Sequence, residues 1–155
     1  MARVPVSISQ IRQLVAAKRL PEALTLARQL TDAEPKSADA WNERGILELR
    51  VADAVAAEQS FQRASKIMPH VAAYHHHWAS AAQRLGKFEV AEAHYVRAVE
   101  LSPQTVDSRV RLAELLMRRG ALAEAEVQCR RAVQDQPGNV HGHVGLGLVL
   151  HRLGR

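Results

Sequence analysis

Four prolines fix the architecture of this chain. Pro35, Pro69, Pro103 and Pro137 are separated by three identical intervals of 34 residues. Proline lacks the backbone N–H, and its ring collides with the preceding helical turn, so it stops a helix. A stop at constant spacing divides the chain into equal units. Equal units mean stacked copies of one supersecondary element, each contacting only its neighbours. With the prolines at unit position 32, the repeats are 4–37, 38–71, 72–105 and 106–139, followed by a partial repeat, 140–155.

Other positions then fall into register. Position 20 is Ala23, Ala57, Ala91 and Ala125, and position 27 is Leu30, Ala64, Ala98 and Ala132. Position 24 is Ala27, Phe61, Tyr95 and Cys129, and position 8 is Ile11, Gly45, Ala79, Ala113 and Gly147. Small residues at 8, 20 and 27 let two helices approach closely, while larger ones at 24 fill the space beside them. Gly86, Gly120 and Gly154 share position 15, where glycine supplies the positive φ that ends a helix. Each unit therefore reads as a first helix over positions 2 to 14, a tight turn, and a second helix over positions 18 to 30. Pro21 falls in the first turn of one second helix, where its missing N–H costs nothing.

The composition agrees. In 155 residues, 47% are apolar and only 4% aromatic, which suits close-packed helices and argues against a β-sandwich or barrel. The single cysteine, Cys129, excludes an internal disulfide framework and a cysteine-built zinc site. The net charge of +5 is spread through a mixture of both signs, so it permits an anionic partner without requiring one. The apolar runs are too short for a membrane span, and Arg12, Lys18 and Arg19 interrupt the N-terminal stretch that a signal peptide would need. A cytoplasmic location is the expectation.

Period and residue types together resemble the tetratricopeptide repeat over essentially the whole chain. The third unit carries the pattern most fully, with Trp78, Leu85-Gly86-Lys87-Phe88, Ala91-Glu92, Tyr95, Ala98 and Leu101-Ser102-Pro103. The resemblance implies an all-α fold, a right-handed solenoid of antiparallel helix pairs with four full repeats and one extra helix in a single domain, 1–155. Departures stand out against it. His75 replaces the usual tryptophan that Trp41 supplies in unit two. Arg44 and Glu48 occupy normally apolar positions and, four apart, can pair on one helix face. Ser7 and Gln10 give unit one a polar outer side, as a capping repeat needs. Unit five has a first helix with Leu146, Val149, Leu150 and Leu153 but no second helix, so part of that apolar face is expected to be exposed. The expectation drawn from this is that the chain is the N-terminal part of a longer protein.

In the family that this chain resembles, a ligand lies in a concave groove lined by the first helices. The resemblance places Arg12, Asn42, Ile46, Arg50, His76, Ser80, Arg84, Arg111, Glu114, Arg118 and Arg152 along it. Arg50, Arg84, Arg118 and Arg152 recur every 34 residues and form a ladder. Guanidiniums in a row suit bidentate capture of carboxylates, as in an acidic peptide, although cations near a helix C-terminus also stabilise the helix dipole. The carboxylate clamp by which cochaperones of this family hold a terminal Glu-Glu-Val-Asp is missing. Its five positions hold Ile8, Arg12, Glu43, Ala73 and His77 in one register, and Asn42, Ile46, His77, Asp107 and Arg111 in the next.

Catalytic, metal and cofactor chemistry find no pattern. His75, His76 and His77 point about 100° apart on a helix and cannot converge on one ion. Gly142, Gly145 and Gly147 lack the spacing and the preceding strand of a phosphate loop. Cys129 sits at a packing position, and the six aromatics leave few platforms for stacking nucleic-acid bases. The function expected is a non-enzymatic protein-interaction scaffold binding a peptide or helix, with no cofactor, metal, nucleic acid or membrane. Two alternatives stay open. RQLVAAKRLPEAL is similar to the N-terminal repeats of bacterial sulfotransferases and protein-modifying glycosyltransferases, which implies a substrate-recognition module of a larger bacterial transferase. Alternatively, the chain is a scaffold that self-associates as a homo-oligomer through the uncapped last helix.

Overall fold

The computed structural model describes residues 6–155, so the first two positions of repeat 4–37 lie outside the described residues. The described residues form nine α-helices and no strand. The order is α1 (Ile8–Ala16), α2 (Leu20–Ala33), α3 (Ala38–Arg50), α4 (Ala54–Ile67), α5 (Ala72–Arg84), α6 (Phe88–Leu101), α7 (Val106–Arg119), α8 (Leu122–Asp135) and α9 (Val140–Arg152). Each helix packs on the next in sequence, which makes an α-solenoid of helix pairs. The first helices also touch across repeats, α3 against α5 and α7 against α9, so their layer is the tighter, inner one.

The core follows the repeat positions. Ala23, Ala57, Ala91 and Ala125 are buried, as are Ala27, Phe61, Tyr95 and Cys129. Gly45 lies against Phe61 so closely that a Cβ there would sit 2.6 Å from the ring. Between Arg44, Glu48 and the neighbouring helices the core is polar. Arg44 Nε donates to Glu48 at 2.8 Å, Arg44 Nη1 donates to the Thr31 hydroxyl at 3.1 Å, and the Ser60 hydroxyl donates to Glu48 at 2.6 Å. The expected i,i+4 pair is therefore the centre of a buried network joining the first two repeats.

Both kinds of turn are built by the backbone. At the proline turns, Ser37, Val71, Thr105 and Asn139 each donate an N–H to the carbonyl three residues back, so each proline occupies the second position of a β-turn. The residue at position 4 then reaches over that turn. Trp41 Nε1, His75 Nε2, Arg109 Nε and His143 Nε2 bond the carbonyls of Pro35, Pro69, Pro103 and Pro137 at 2.7 to 3.0 Å. Three different side chains perform one task, donating an N–H six residues back. Ser7, at the same position in unit one, instead forms a capping box with Gln10, so both polar residues there are spent on the start of α1.

At the turns inside the repeats, Arg19, Asp53, Lys87, Ala121 and Arg155 each donate an N–H to a carbonyl five residues back, the Schellman arrangement. It requires a left-handed residue. Gly86, Gly120 and Gly154 provide it, but in the first two repeats Lys18 and Ala52 adopt φ of 61° and 64°. A non-glycine residue there costs about 1–2 kcal/mol. Ala52→Gly is accordingly expected to stabilise the chain by about 0.5–1 kcal/mol, part of the relief being offset by glycine's greater freedom in the unfolded chain. Urea unfolding monitored by circular dichroism checks this; a lower midpoint would contradict it.

Candidate functional site

The inner face is assembled from α1, α3, α5, α7 and α9, and most of its polar groups are already paired with the adjacent repeat. Arg12 on α1 forms an ion pair with Glu43 on α3. The Tyr74 hydroxyl donates to Asp39 at 2.6 Å, and His77 Nδ1–H donates to the Asn42 side-chain carbonyl at 2.7 Å, both joining α5 to α3. His76 Nδ1 lies 2.9 Å from the Ser108 hydroxyl on α7. Arg111 and Glu114 pair within α7 at 3.0 Å. Ile46 is half-buried against Ala57, Phe61 and Ala81, and Ser80 is half-buried.

The arginine ladder divides by what each rung touches. Arg84 donates to the Leu49 carbonyl at 3.2 Å and Arg152 to the Met117 carbonyl at 3.1 Å. These are carbonyls at the C-terminal end of the preceding first helix, where intrahelical partners run out. Arg118 instead lies over the Phe88 ring, 3.4 Å from its centre. Arg50 is exposed. The sequence suggested that these cations serve the dipole of their own helices. The structure shows two of them bonding the helix end one repeat earlier.

Two adjoining clefts open on this face towards α9. One, of about 450 Å³, is lined by Glu114, Met117, Arg118, Leu148, His151 and Arg152. The other, of about 240 Å³, is lined by His76, Asp107, Val110, Arg111, Glu114 and His141. Of the residues expected in the groove, His76, Arg111, Glu114, Arg118 and Arg152 come together around these clefts. Arg12, Asn42, Ile46 and Arg84 are engaged in contacts between repeats.

The three consecutive histidines each bond something different. His75 Nε2–H is committed to Pro69, so its Nδ1 can only accept from His94 Nδ1–H, 3.1 Å away. His76 bonds the following repeat and His77 the preceding one. Burial and the neighbouring His76 push His77 down to about 4, and burial, with His75 beside it, does the same to His94. Burial likewise lowers His76, opposed by Asp107. Because the folded-state values lie below the ordinary histidine value, the unfolded chain binds more protons between about pH 6.5 and pH 4. Stability is therefore complete above that window and falls as the pH drops through it. Between about pH 7 and about pH 5, urea unfolding is expected to show a loss to which His77 contributes about 2 kcal/mol, so His77→Gln reduces the loss by about that amount. Equal slopes in the two proteins would contradict the assignment. Burial also pushes the Cys129 thiol up to about 11, which keeps it protonated in its place against Gly145.

The tetratricopeptide repeat model matches residues 9–69 and 77–140, most of the chain. The chain belongs to this family. Solved TPR structures share the fold. A crystal structure of MamA superimposes with a TM-score of 0.87 at 15% identity, covering 97% of this chain and 87% of that one. The crystal structure of YrrB, described as a TPR protein with an unusual peptide-binding site, gives 0.79 at 19% identity, covering 95% and 76%. The first TPR of Spaghetti (RPAP3), bound to the HSP90 peptide SRMEEVD, gives 0.72 at 23% identity, covering 76% and 94%. No curated protein matches the chain in sequence. No helix among the described residues is long and apolar enough to cross a membrane. Within the TPR pattern, the position-4 donors Trp41, His75, Arg109 and His143 escaped the sequence reading as a group. The signal available was a ring or guanidinium N–H six residues after each of the four repeat prolines.

Proposed function

We propose that this TPR chain is a protein-interaction scaffold that holds a peptide or helix of a partner along the inner face of its first helices. The observation that carries the proposal is the pair of adjoining clefts lined from α7 and α9, with His76 of α5, set in a face most of whose other polar groups are already paired. The peptide-binding site described for YrrB and the HSP90 peptide bound to the Spaghetti TPR support a peptide partner for a chain of the same fold. Acidic groups on that partner fit the guanidiniums of Arg84, Arg118 and Arg152, each able to form further hydrogen bonds. The Spaghetti peptide ends in Glu-Glu-Val-Asp, but the clamp positions of this chain carry other side chains, so the same grip is not proposed.

Affinity capture with the chain as bait tests this reading. Arg84→Ala combined with Arg118→Ala is expected to reduce retention of the captured partner about tenfold, an effect that added salt diminishes in the wild type. Unchanged retention refutes the role of the arginines. A partner that crosslinks only to α4, α6 or α8 refutes the inner-face reading altogether.

A further inference from the structure

Resting on that reading, the geometry points to a specific motif: we infer that the cleft between α7 and α9 takes a partner segment in which an apolar side chain is followed by carboxylates. The inner face changes character along the solenoid. At position 9, Arg12 is ion-paired with Glu43, Ile46 packs towards Phe61, and Glu114 pairs with Arg111. Leu148, the same position on α9, is 53% exposed. It faces a cleft of about 450 Å³ shared with Met117, a volume suited to one anchoring side chain and its flanks. Along the earlier part of the face, polar side chains are spent on bonds between repeats, from Tyr74 to Asp39 and from His77 to Asn42.

The charges select the rest of the motif. Arg118 and Arg152 line the cleft, and its one carboxylate, Glu114, is already satisfied by Arg111. Both arginines are held before any ligand arrives, Arg118 over the Phe88 ring and Arg152 by the Met117 carbonyl. A guanidinium fixed by one contact keeps its remaining N–H groups for a second, and less side-chain freedom is lost on binding. Two fixed cations beside an apolar floor are complementary to an apolar anchor next to acid, and they disfavour a purely apolar or basic segment.

The test uses fluorescence anisotropy with the full chain and a labelled peptide carrying Leu-Glu-Glu in a Gly/Ser background. The peptide is compared with its Leu-Gln-Gln and Ser-Glu-Glu counterparts. The Leu-Glu-Glu peptide is expected to bind about tenfold more tightly than either, and to weaken with salt. Leu148→Ser and Arg118→Gln, both changes at exposed positions, are each expected to weaken it about tenfold, and Arg130→Gln, on α8 away from the cleft, to leave it unchanged. Amide shifts in the NMR spectrum separate the possible failures. Shifts centred on α3 and α5 overturn this inference while leaving an inner-face site in place. Shifts confined to α4, α6 and α8 overturn both. Equal affinity for the three peptides, or no binding, overturns the inference and leaves the broader reading to the capture experiment. A concentration-dependent mass that Leu148→Ser abolishes assigns the cleft to a second copy of the chain and also overturns it.

Discussion

Arg44→Ala is expected to destabilise the chain by about 3–5 kcal/mol, the largest effect of any single polar substitution considered. The reason is the partner left behind. Glu48 is fully buried, and its carboxylate is held by Arg44 on one oxygen and by the Ser60 hydroxyl on the other. Removing the guanidinium leaves a buried charge with one hydrogen bond and also strips a donor from Thr31. Taking out both charges has a different outcome. Arg44→Leu with Glu48→Leu restores the apolar character usual at these positions and is expected to lie within about 1 kcal/mol of the wild type. Urea unfolding of the three proteins distinguishes the cases. If the single variant is as stable as the double, the pair is not an electrostatic unit and the account of this interface fails.

Gly45→Ala is expected to cost about 1–3 kcal/mol, against the ordinary trend by which alanine improves a helix interior by about 1 kcal/mol. The added methyl would lie 2.6 Å from Phe61, and that ring is fully buried, so it cannot swing away without disturbing α4. Gly147 occupies the same repeat position on α9, but a Cβ there meets nothing within 4 Å. Gly147→Ala should therefore stabilise the chain by up to about 1 kcal/mol. The opposite signs at equivalent positions isolate close helix packing from helix propensity. Thermal melts showing the same sign for both would remove the packing explanation.

The parts legible in the sequence were those enforced by a repeating physical need. The prolines mark β-turns, the glycines mark left-handed helix ends, and the residues at positions 20, 24 and 27 are core because every repeat packs them alike. The parts not legible involve tasks that several chemistries can perform. Trp41, His75, Arg109 and His143 share a hydrogen bond, not a side-chain shape. Lys18 and Ala52 tolerate a left-handed backbone that their identities do not announce. The inner-face pairs Arg12–Glu43 and Asn42–His77 depend on how far adjacent repeats are rotated, which periodicity alone does not fix. The same gap explains α9. Leu146, Val149, Leu150 and Leu153 were expected to supply the exposed surface. Instead Val149 is buried and Leu146 and Leu153 pack on the core, while Val140, Val144 and Leu148 are the exposed aliphatics. Spacing identifies an apolar helix, but the preceding repeat decides which of its sides is covered.

The claim on which the functional account depends is that partners lie along the inner layer of first helices. Hydrogen–deuterium exchange of the chain with and without a captured partner tests it most directly. The account predicts new protection on α7 and α9, extending to α5, with α4, α6 and α8 unchanged. Protection confined to the outer helices would contradict it.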